Sequence, residues 1–380
     1  MSECVMIVTG ESSGELYGSL LARSLQRRLP GIRITGIGGE RMKAAGVELI
    51  SGISGAFGLT EVISSLGTLR LTFNKAVGAL SGDRPAVLVL VDYPDFNLRL
   101  AREAKKNNIR ILYYVSPQVW AWRKSRVKKI ASLVDRMAVI LPFEEAIYRE
   151  SGLETEFVGH PVLDEIQEIT ATDRNWIKRS LGLKDDRPLM SVLPGSRRNE
   201  ISRLLPLVPA VVREFEREFG DFQFCVPFAP NTEMGHYSGG VEELRKMGVT
   251  VNRGESLKTL AASDVAVVAS GTASLQAVFL GVPIVVMYRL FPLTYWLGKM
   301  IVRVRHISLV NILSGHEVVK ELLQGKVTSA NIIGELRRIV KDESYRGKML
   351  ASYEEVKRMF AGKKASDRVA GIVMEMAGWK

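Results

Sequence analysis

With 380 residues, 46% of them hydrophobic and 24% charged, the chain is too long for one ordinary core and too apolar to be disordered, so it predicts two globular domains. No apolar run reaches the ~18 residues that cross a bilayer, and the first residues lack the basic region of a secretory signal, so we expect a cytoplasmic protein. The net charge of +11 favours an anionic partner, but no nucleic-acid-binding motif accompanies it, which disfavours DNA and RNA.

In the first part of the chain, short apolar runs alternate with amphipathic stretches, a pattern typical of a parallel sheet with helices on both faces. The predicted strands cover residues 4–9, 33–37, 86–91, 110–115 and 134–141, and the predicted helices cover residues 15–29 and 41–45. Ligands of such sheets bind at the carboxyl ends of the strands. Two polar sequences follow predicted strands here, Gly-Glu-Ser-Ser-Gly at residues 10–14 and Asp-Tyr-Pro-Asp-Phe-Asn at residues 92–97.

Three further segments bear on the surface of the molecule. Residues 56–80 are apolar with few charges, which fits either a core helix or a groove for acyl chains. Residues 120–129 and 288–306 each mix aromatic side chains with Lys and Arg. Such mixtures are typical of a solvated helix face or of a surface that meets lipid headgroups. The second interpretation predicts peripheral contact with an anionic membrane surface, the inner face of the cytoplasmic membrane.

The alternation pauses after residues 157–161, and we place a domain boundary there. A second α/β domain is predicted beyond it, with strands at residues 189–193, 222–226, 249–252, 264–268 and 282–286 and a helix at residues 206–219. The predicted division is therefore 1–165, 166–331 and 332–380, the last part being two charged helices. Their two candidate docking sites are the first domain and a partner subunit.

The sequence Ala-Ser-Gly-Thr-Ala-Ser-Leu-Gln at residues 269–276 joins a predicted strand to a helical pattern. Such a junction points unpaired backbone N–H groups and the positive end of the helix dipole outward, and Gly271 lets an anion approach closely. Gln276 lies about one turn further along, within reach of a sugar on that phosphate. The alternative is an ordinary turn capped by Ser270 or Thr272.

A second junction, Leu-Pro-Gly-Ser-Arg at residues 193–197, follows another strand of the same domain. Gly195 and Ser196 offer donors and the guanidinium of Arg197 suits phosphate, although a tight turn with a surface arginine is the alternative. Two such junctions in one sheet favour a diphosphate ligand. The Gly-rich signatures of P-loop nucleotide hydrolysis and of nicotinamide binding are both missing from the sequence.

Asp92 follows an apolar strand at the same sheet edge as residues 10–14, where a general base for a hydroxyl nucleophile is expected. The alternatives are a helix cap, a pairing with Arg99, or a base at Asp95. The four histidines lack metal-ligand spacing, so we expect no metal and no cofactor. Arg197 and a helix dipole would then balance the charge of the leaving group.

Five motifs in this order resemble one family, the bacterial lipid-A-disaccharide synthases. They lie at residues 10–14, 92–97, 114–123, 193–197 and 269–273, and the match continues from Asn311 to about residue 325. The resemblance implies two Rossmann-like domains of the glycosyltransferase B type with a cleft between them. It also implies an inverting transfer from UDP-2,3-diacylglucosamine to 2,3-diacylglucosamine 1-phosphate (lipid X), which gives the β-1,6-linked tetraacyl disaccharide 1-phosphate and UDP.

By the same resemblance Asp92 is the functional aspartate, which we assign as the general base. The substrate-binding positions implied by the resemblance and by the arguments above are Gly10, Glu11, Ser12, Ser13, Gly14, Asp95, Ser116, Gln118, Trp120, Gly195, Ser196, Arg197, Ser270, Gly271, Thr272, Gln276 and Asn311. The chain departs from the family at Gln276, Glu15 and Val310, where glutamate, aspartate and proline are usual. The resemblance further implies a homodimer.

Two other functions stay open at this point. One is a UDP-N-acetylglucosamine 2-epimerase built on the same fold, and the other is a non-catalytic protein that binds a lipid or nucleotide sugar at the membrane. An epimerase acts on a soluble substrate, so the mixed aromatic and basic segments favour the lipid-handling transferase.

Overall fold

The computed structural model describes residues 3–52, 62–122, 125–230, 232–291 and 305–379. The chain divides into two compact units, the first formed by Met1–Asp164 with Gly362–Lys380 and the second by Glu165–Ala361. Each unit contains one parallel sheet with helices in the connections, so the predicted pair of parallel α/β domains is confirmed. Among the described residues, no helix is long and apolar enough to cross a bilayer.

The sheet of the first unit has seven parallel strands in the order β3-β2-β1-β4-β5-β6-β7. The strands are β1 (Cys4–Val8), β2 (Arg33–Gly38), β3 (Glu48–Gly52), β4 (Val87–Val91), β5 (Arg110–Tyr114), β6 (Arg136–Val139) and β7 (Glu154–Phe157). The sequence did not predict β3 and β7, which are the two edge strands. Edge strands are partly exposed and therefore lack the continuous apolar run that marks a buried parallel strand.

The sheet of the second unit has six parallel strands in the order β10-β9-β8-β11-β12-β13. The strands are β8 (Leu189–Leu193), β9 (Gln223–Phe228), β10 (Thr250–Arg253), β11 (Val265–Ala269), β12 (Ile284–Tyr288) and β13 (Lys320–Leu323). The unpredicted strand, β13, is again at an edge and carries Lys and Glu. In both sheets the two strands at the centre, β1 with β4 and β8 with β11, are buried along their whole length.

Helices fill the connections. In the first unit they are α1 (Ser12–Arg28), α2 (Glu40–Ala44), α3 (Val62–Gly82), α4 (Pro94–Lys106), α5 (Val119–Trp122), α6 (Arg126–Ala131), α7 (Glu144–Arg149) and α8 (Val162–Thr170), which continues past the division. In the second unit they are α9 (Arg174–Ser180), α10 (Arg198–Leu204), α11 (Val208–Glu218), α12 (Ser238–Lys246), α13 (Ser256–Ala261), α14 (Thr272–Leu280), α15 (Leu309–Ser314), α16 (Ser329–Lys341) and α17 (Glu343–Met359). The last helix, α18 (Ala365–Ala377), belongs to the first unit.

Helix α18 packs against α1, and charged side chains fix both of its ends. Asp367 pairs with Arg27 at 3.1 Å, and Glu375 pairs with Arg136 at 2.7 Å. The prediction of two helices for residues 332–380 is wrong, because three helices, α16, α17 and α18, occupy this part of the chain. Short capped breaks at Asp342 and after Met359 separate them.

The surface segments predicted from composition are covered only in part. Residues 56–61 of the apolar segment, residues 123–124 of the first basic segment and residues 292–304 of the second lie outside the described residues. The rest of the apolar segment is helix α3.

Candidate active site

The first polar corner lies where β1 and β4, neighbours at the centre of the first sheet, both end. Helix α1 begins at Ser12, with Glu11 as its N-cap residue, so Ser12, Ser13 and Gly14 form its first turn. The prediction that this helix starts at residue 15 is therefore wrong, because two serines and a glycine are accommodated in a first turn whose amides need no intrahelical partner. The backbone of residues 10–14 lies next to the loop that carries Asp92.

Asp92 has a left-handed backbone conformation, with φ of +48°, and Tyr93 follows with φ of +46°. The Asp92 amide still donates to the Tyr114 carbonyl at 3.2 Å, as in the sheet. Its carbonyl oxygen instead accepts from two side chains, the Tyr113 hydroxyl at 2.6 Å and the Asn97 Nδ2 at 2.7 Å. The N-cap residue of α4 is Tyr93, so the alternative prediction of Asp92 as a helix cap is wrong.

The ring of Tyr93 packs on the backbone of Gly10. A Cβ atom built at Gly10 would lie 2.3 Å from Tyr93 Cγ, which leaves no room for any other residue there. The ring also stacks on Phe96, with 5.4 Å between centroids. Burial, reinforced by the nearby charge of Asp95, raises the pKa of Tyr93 to about 12, so the phenol stays protonated at neutral pH. Close packing therefore fixes the loop of Asp92 against the loop of Gly10.

Asp95, the second candidate for a base, is 76% exposed in its side chain and pairs with Arg126 at 2.8 Å. Arg126 comes from the first basic segment, at the start of α6. One carboxylate oxygen of Asp95 is thus committed to a cation in this structure.

The next strand, β5, leads to three more predicted residues. The Ser116 hydroxyl is buried and bonds to the Tyr148 hydroxyl at 2.7 Å, so it is used inside the protein. Gln118 is exposed, and Trp120 is half-buried with its indole N–H donating to Glu144 Oε1 at 3.2 Å. Of these three side chains, Gln118 and Trp120 therefore reach the surface of the unit.

Glu144 was missed by the sequence reasoning. Its carboxyl group is 1% exposed and accepts from the Leu141 amide at 3.1 Å as well as from Trp120. Burial raises the pKa of Glu144 to about 8, so the group is mostly uncharged at neutral pH. In the sequence Glu144 stands beside Glu145 and resembles an ordinary solvated acid, so only its three-dimensional surroundings identify it.

The second polar corner lies where β8 and β11, the central neighbours of the second sheet, end. Gly271 is the N-cap residue of α14, with φ of +152°, and no side chain caps this helix among the described residues. The Ser270 hydroxyl donates to the Ile307 carbonyl at 3.2 Å instead, so capping by Ser270 or Thr272 is not observed. The result is a nine-residue helix whose N-terminus offers backbone N–H groups and the positive end of its dipole.

The neighbouring junction at Gly195 is held by a carboxylate of the protein. Glu200 Oε2 accepts from the amides of Ser196 at 3.1 Å and Arg197 at 3.3 Å, so these donors are occupied by the protein itself. A local carboxylate therefore holds the position at which the sequence predicts a phosphate, and phosphate binding at this junction stays a prediction. The Arg197 side chain is 58% exposed and pairs with Glu200 Oε1 at 3.4 Å, and its planar guanidinium has further donors suited to an anion.

Asn311, the last of the predicted donor-side residues, is bonded inside the protein. It is fully buried, and its Oδ1 accepts from the amides of Val318 at 2.8 Å and Val319 at 3.0 Å. Its Nδ2 donates to the Val319 carbonyl at 2.9 Å and to Glu321 Oε1 at 2.8 Å. Every position of the side-chain amide is thus engaged within the protein, so Asn311 organises this loop, and its part in donor binding stays a prediction.

Glu321, a second residue that the sequence reasoning missed as a site residue, completes that network. Its carboxylate accepts from the amides of Ile307 at 3.0 Å and Ser308 at 2.9 Å and from the Ser308 hydroxyl at 2.8 Å. Ser270, which precedes Gly271, donates to the carbonyl of Ile307 in the same loop. Glu321 and Asn311 therefore support the turn at Gly271 through this loop. Gln276, one turn into α14, is half-buried.

Glu15, the departure in helix α1, has an internal partner. Its Oε1 accepts from the amide of Arg41, in the first turn of α2, at 2.8 Å. This contact satisfies an otherwise unpaired helix amide, so Glu15 contributes to the packing of α1 on α2.

Solved structures with the same architecture identify the fold. A UDP-GlcNAc 2-epimerase from Neisseria meningitidis bound to UDP-GlcNAc matches with a TM-score of 0.67 at 11% identity, over 98% of this chain and 100% of that one. CalG4, the calicheamicin glycosyltransferase, matches with a TM-score of 0.58 at 16% identity, over 100% and 99% of the two chains. At these identities the similarity shows the fold alone, which is that of the B-type glycosyltransferases and the related epimerases.

Sequence comparison then selects the family. The family model described as lipid-A-disaccharide synthetase matches residues 5–371. A lipid-A-disaccharide synthase of Syntrophus aciditrophicus is 43% identical over 341 residues, covering 89% of this chain and 88% of that protein. The enzyme of Geobacter sulfurreducens is 38% identical over 379 residues, covering 99% and 98%. The chain belongs to the lipid-A-disaccharide synthase family and is a bacterial glycosyltransferase of lipid A biosynthesis, and neither the epimerase nor the non-catalytic alternative is favoured.

Proposed function

We propose that the enzyme joins UDP-2,3-diacylglucosamine to 2,3-diacylglucosamine 1-phosphate with Asp92 as the general base. Asp92 takes the proton of the acceptor 6-hydroxyl, whose oxygen forms a bond to the anomeric carbon of the donor. The bond from that carbon to the UDP oxygen breaks, and UDP leaves with the electron pair. Attack opposite the leaving group inverts the configuration and gives the β-1,6 linkage. The observation that supports this proposal is the position of Asp92 directly after β4, with its backbone carbonyl held by Tyr113 and Asn97.

The charge of departing UDP is balanced in this proposal by the second unit. The uncapped N-terminus of α14 supplies backbone N–H groups and a partial positive charge, and the exposed guanidinium of Arg197 supplies a full one. Gln276 is placed to bond the ribose, while Asn311 and Glu321 hold the loop behind Ser270. With these groups in place, we expect transfer to need no metal ion and no cofactor.

One assay tests the reaction and its base. The purified enzyme is given both substrates with a chelator present, and mass spectrometry follows the tetraacyl disaccharide phosphate and UDP. In Asp92→Asn we expect kcat to fall about 10²–10⁴-fold, the range for loss of a general base, with UDP affinity retained. Asparagine is the right replacement because it has the same shape and tolerates a left-handed backbone.

Three outcomes would contradict this proposal. Full activity of Asp92→Asn would remove Asp92 from the base role, and a matching loss in Asp95→Asn alone would transfer that role to Asp95. Activity that appears only after a divalent cation is restored would remove the expectation of metal-independent transfer. Each outcome leaves the family membership intact, since that rests on the sequence comparison.

We also propose that the enzyme works at the inner face of the cytoplasmic membrane. Helix α3 exposes 64% of Leu71 beside the exposed cations Arg70 and Lys75, a combination suited to anionic headgroups. Cosedimentation with anionic vesicles should decrease as salt rises, and equal binding to neutral vesicles would contradict the electrostatic part. Light scattering of the purified enzyme tests the homodimer that the family resemblance implies.

A further inference from the structure

Backbone strain in the first unit is concentrated at the carboxyl ends of two neighbouring strands. Of the six non-glycine residues with positive φ in the described parts of the chain, Asp92, Tyr93 and Val115 directly follow the neighbouring strands β4 and β5. Left-handed conformations are unfavourable for L-residues, least so for Asp and most so for a β-branched residue such as Val. Such strain persists only where the surrounding structure holds it, and it clusters at functional sites.

The structure also shows what holds Asp92. In a regular parallel sheet its carbonyl would accept from a backbone amide of the next strand, but here the carbonyl accepts from the Tyr113 hydroxyl and the Asn97 amide. Both donors are fully buried, at 0% exposure, so neither can exchange its bond for one to water. Asn97 also donates to the carbonyl of Val91 at 3.3 Å, which ties the end of β4 to the first turns of α4.

We propose that Tyr113 and Asn97 are positioning residues that fix the backbone of Asp92 and thereby aim its carboxylate at the acceptor hydroxyl. A carbonyl held by two buried donors fixes the peptide plane after Asp92, and the amide bonded to Tyr114 fixes the plane before it. With both planes fixed, the direction of the Cα–Cβ bond is fixed as well. Neither side chain touches substrate, and the inference rests on the proposed role of Asp92.

Tyr113 is suited to this role over a wide range of pH. Burial raises the pKa of its phenol well above 10, so the hydroxyl remains a donor throughout the range in which the enzyme would be assayed. The hydroxyl donates to the carbonyl of Asp92, 21 positions earlier in the chain. The bond therefore connects β5 to the residue that follows β4, and it does not close a local turn.

The test compares Tyr113→Phe with Tyr114→Phe. Tyr114 is the next residue of the same strand and is equally buried, but its hydroxyl makes no bond to Asp92, so it is the matched control. For Tyr113→Phe we expect kcat to fall about tenfold, the kinetic equivalent of one hydrogen bond, with KM near the wild-type value. Tyr114→Phe should keep kcat. UDP affinity and melting temperature, measured for both variants, show whether the two units are still folded.

A split of the same kind, with kcat lowered and KM retained, is expected for Asn97→Ala, which removes the second donor. The positioning role is overturned if Tyr113→Phe keeps its kcat, if Tyr114→Phe loses as much, or if KM rises in place of the fall in kcat. These results differ from failure of the proposed base. If Asp92→Asn abolishes turnover while Tyr113→Phe behaves as Tyr114→Phe does, Asp92 remains the base and only the positioning role is lost.

Discussion

The corner around Asp92 and the turn around Gly271 occupy equivalent places, each at the carboxyl end of a central strand, but they are built in opposite ways. At Asp92 the backbone groups are bonded within the protein and an aromatic ring covers the neighbouring glycine. At Gly271 none of the described side chains caps the helix N-terminus, and the supporting bonds are made by Glu321 and Asn311. A base must point in one direction, whereas a site for phosphate must leave donors available, and each construction suits its task.

The largest effect is expected when the packing of the Asp92 corner is disturbed at Gly10, the glycine that the ring of Tyr93 covers. In Gly10→Ala the new methyl group must displace the ring of Tyr93, since the built Cβ lies 2.3 Å from Tyr93 Cγ. Displacements of about 1 Å at a reacting group can cost about 100-fold in rate, and we expect a fall in kcat of that size. Binding of UDP should be unchanged, because the donor groups lie on the second unit. Steady-state kinetics and UDP titration measure the two effects separately.

Gly78→Ala is the matched control for that variant. A Cβ at Gly78 meets nothing within 4 Å, and the residue lies inside helix α3, where alanine is favoured over glycine. If Gly10→Ala is as active as Gly78→Ala, the close contact with Tyr93 does not control the Asp92 corner.

A smaller effect is expected on the donor side from Glu321→Gln. The new amide group would face donors at Ile307 and Ser308 where a carboxylate now accepts, so at least one supporting bond is lost. The loop behind Ser270 should loosen, and UDP should bind about tenfold more weakly, as expected for one hydrogen bond to a charged group. Calorimetric titration of UDP into the enzyme measures this change.

Glu317→Gln provides the comparison for Glu321→Gln. Glu317 lies in the same loop but is exposed and pairs only across the surface with Lys320, at 2.9 Å, in the described structure. Exposed pairs of this kind contribute little, so its UDP affinity should match that of the wild type. Equal UDP affinities for the two glutamine variants would mean that the network at Glu321 does not support the donor turn.

The positions of both corners could be predicted from the sequence because buried parallel strands are continuous apolar runs, and polar residues that end such a run lie at the functional edge of the sheet. The edge strands β3, β7 and β13 could not, because exposure lets them carry Glu, Lys and Ser. The bonds from the amides of Ser196 and Arg197 to Glu200 did have a signal in the sequence, since an acid three residues after the N-cap residue has capping-box spacing.

The orientation of side chains was beyond the sequence. Motif resemblance located Asn311 but could not show that its amide is consumed by Val318, Val319 and Glu321. Likewise the bond from Tyr113 to Asp92 joins two strands, and alternation along β5 does not specify which tyrosine meets which carbonyl. Such pairings depend on sheet register and local strain, which become visible only in three dimensions.

The return of helix α18 to the first unit has a consequence for how the chain is made. Val369, Ile372 and Val373 are buried in this helix, which packs against α1, an element that is translated long before it. The whole of Glu165–Ala361 is translated between the two. The first unit is therefore completed only after the second has been translated, and until then the nascent chain carries an uncovered surface on α1 that chaperones can bind.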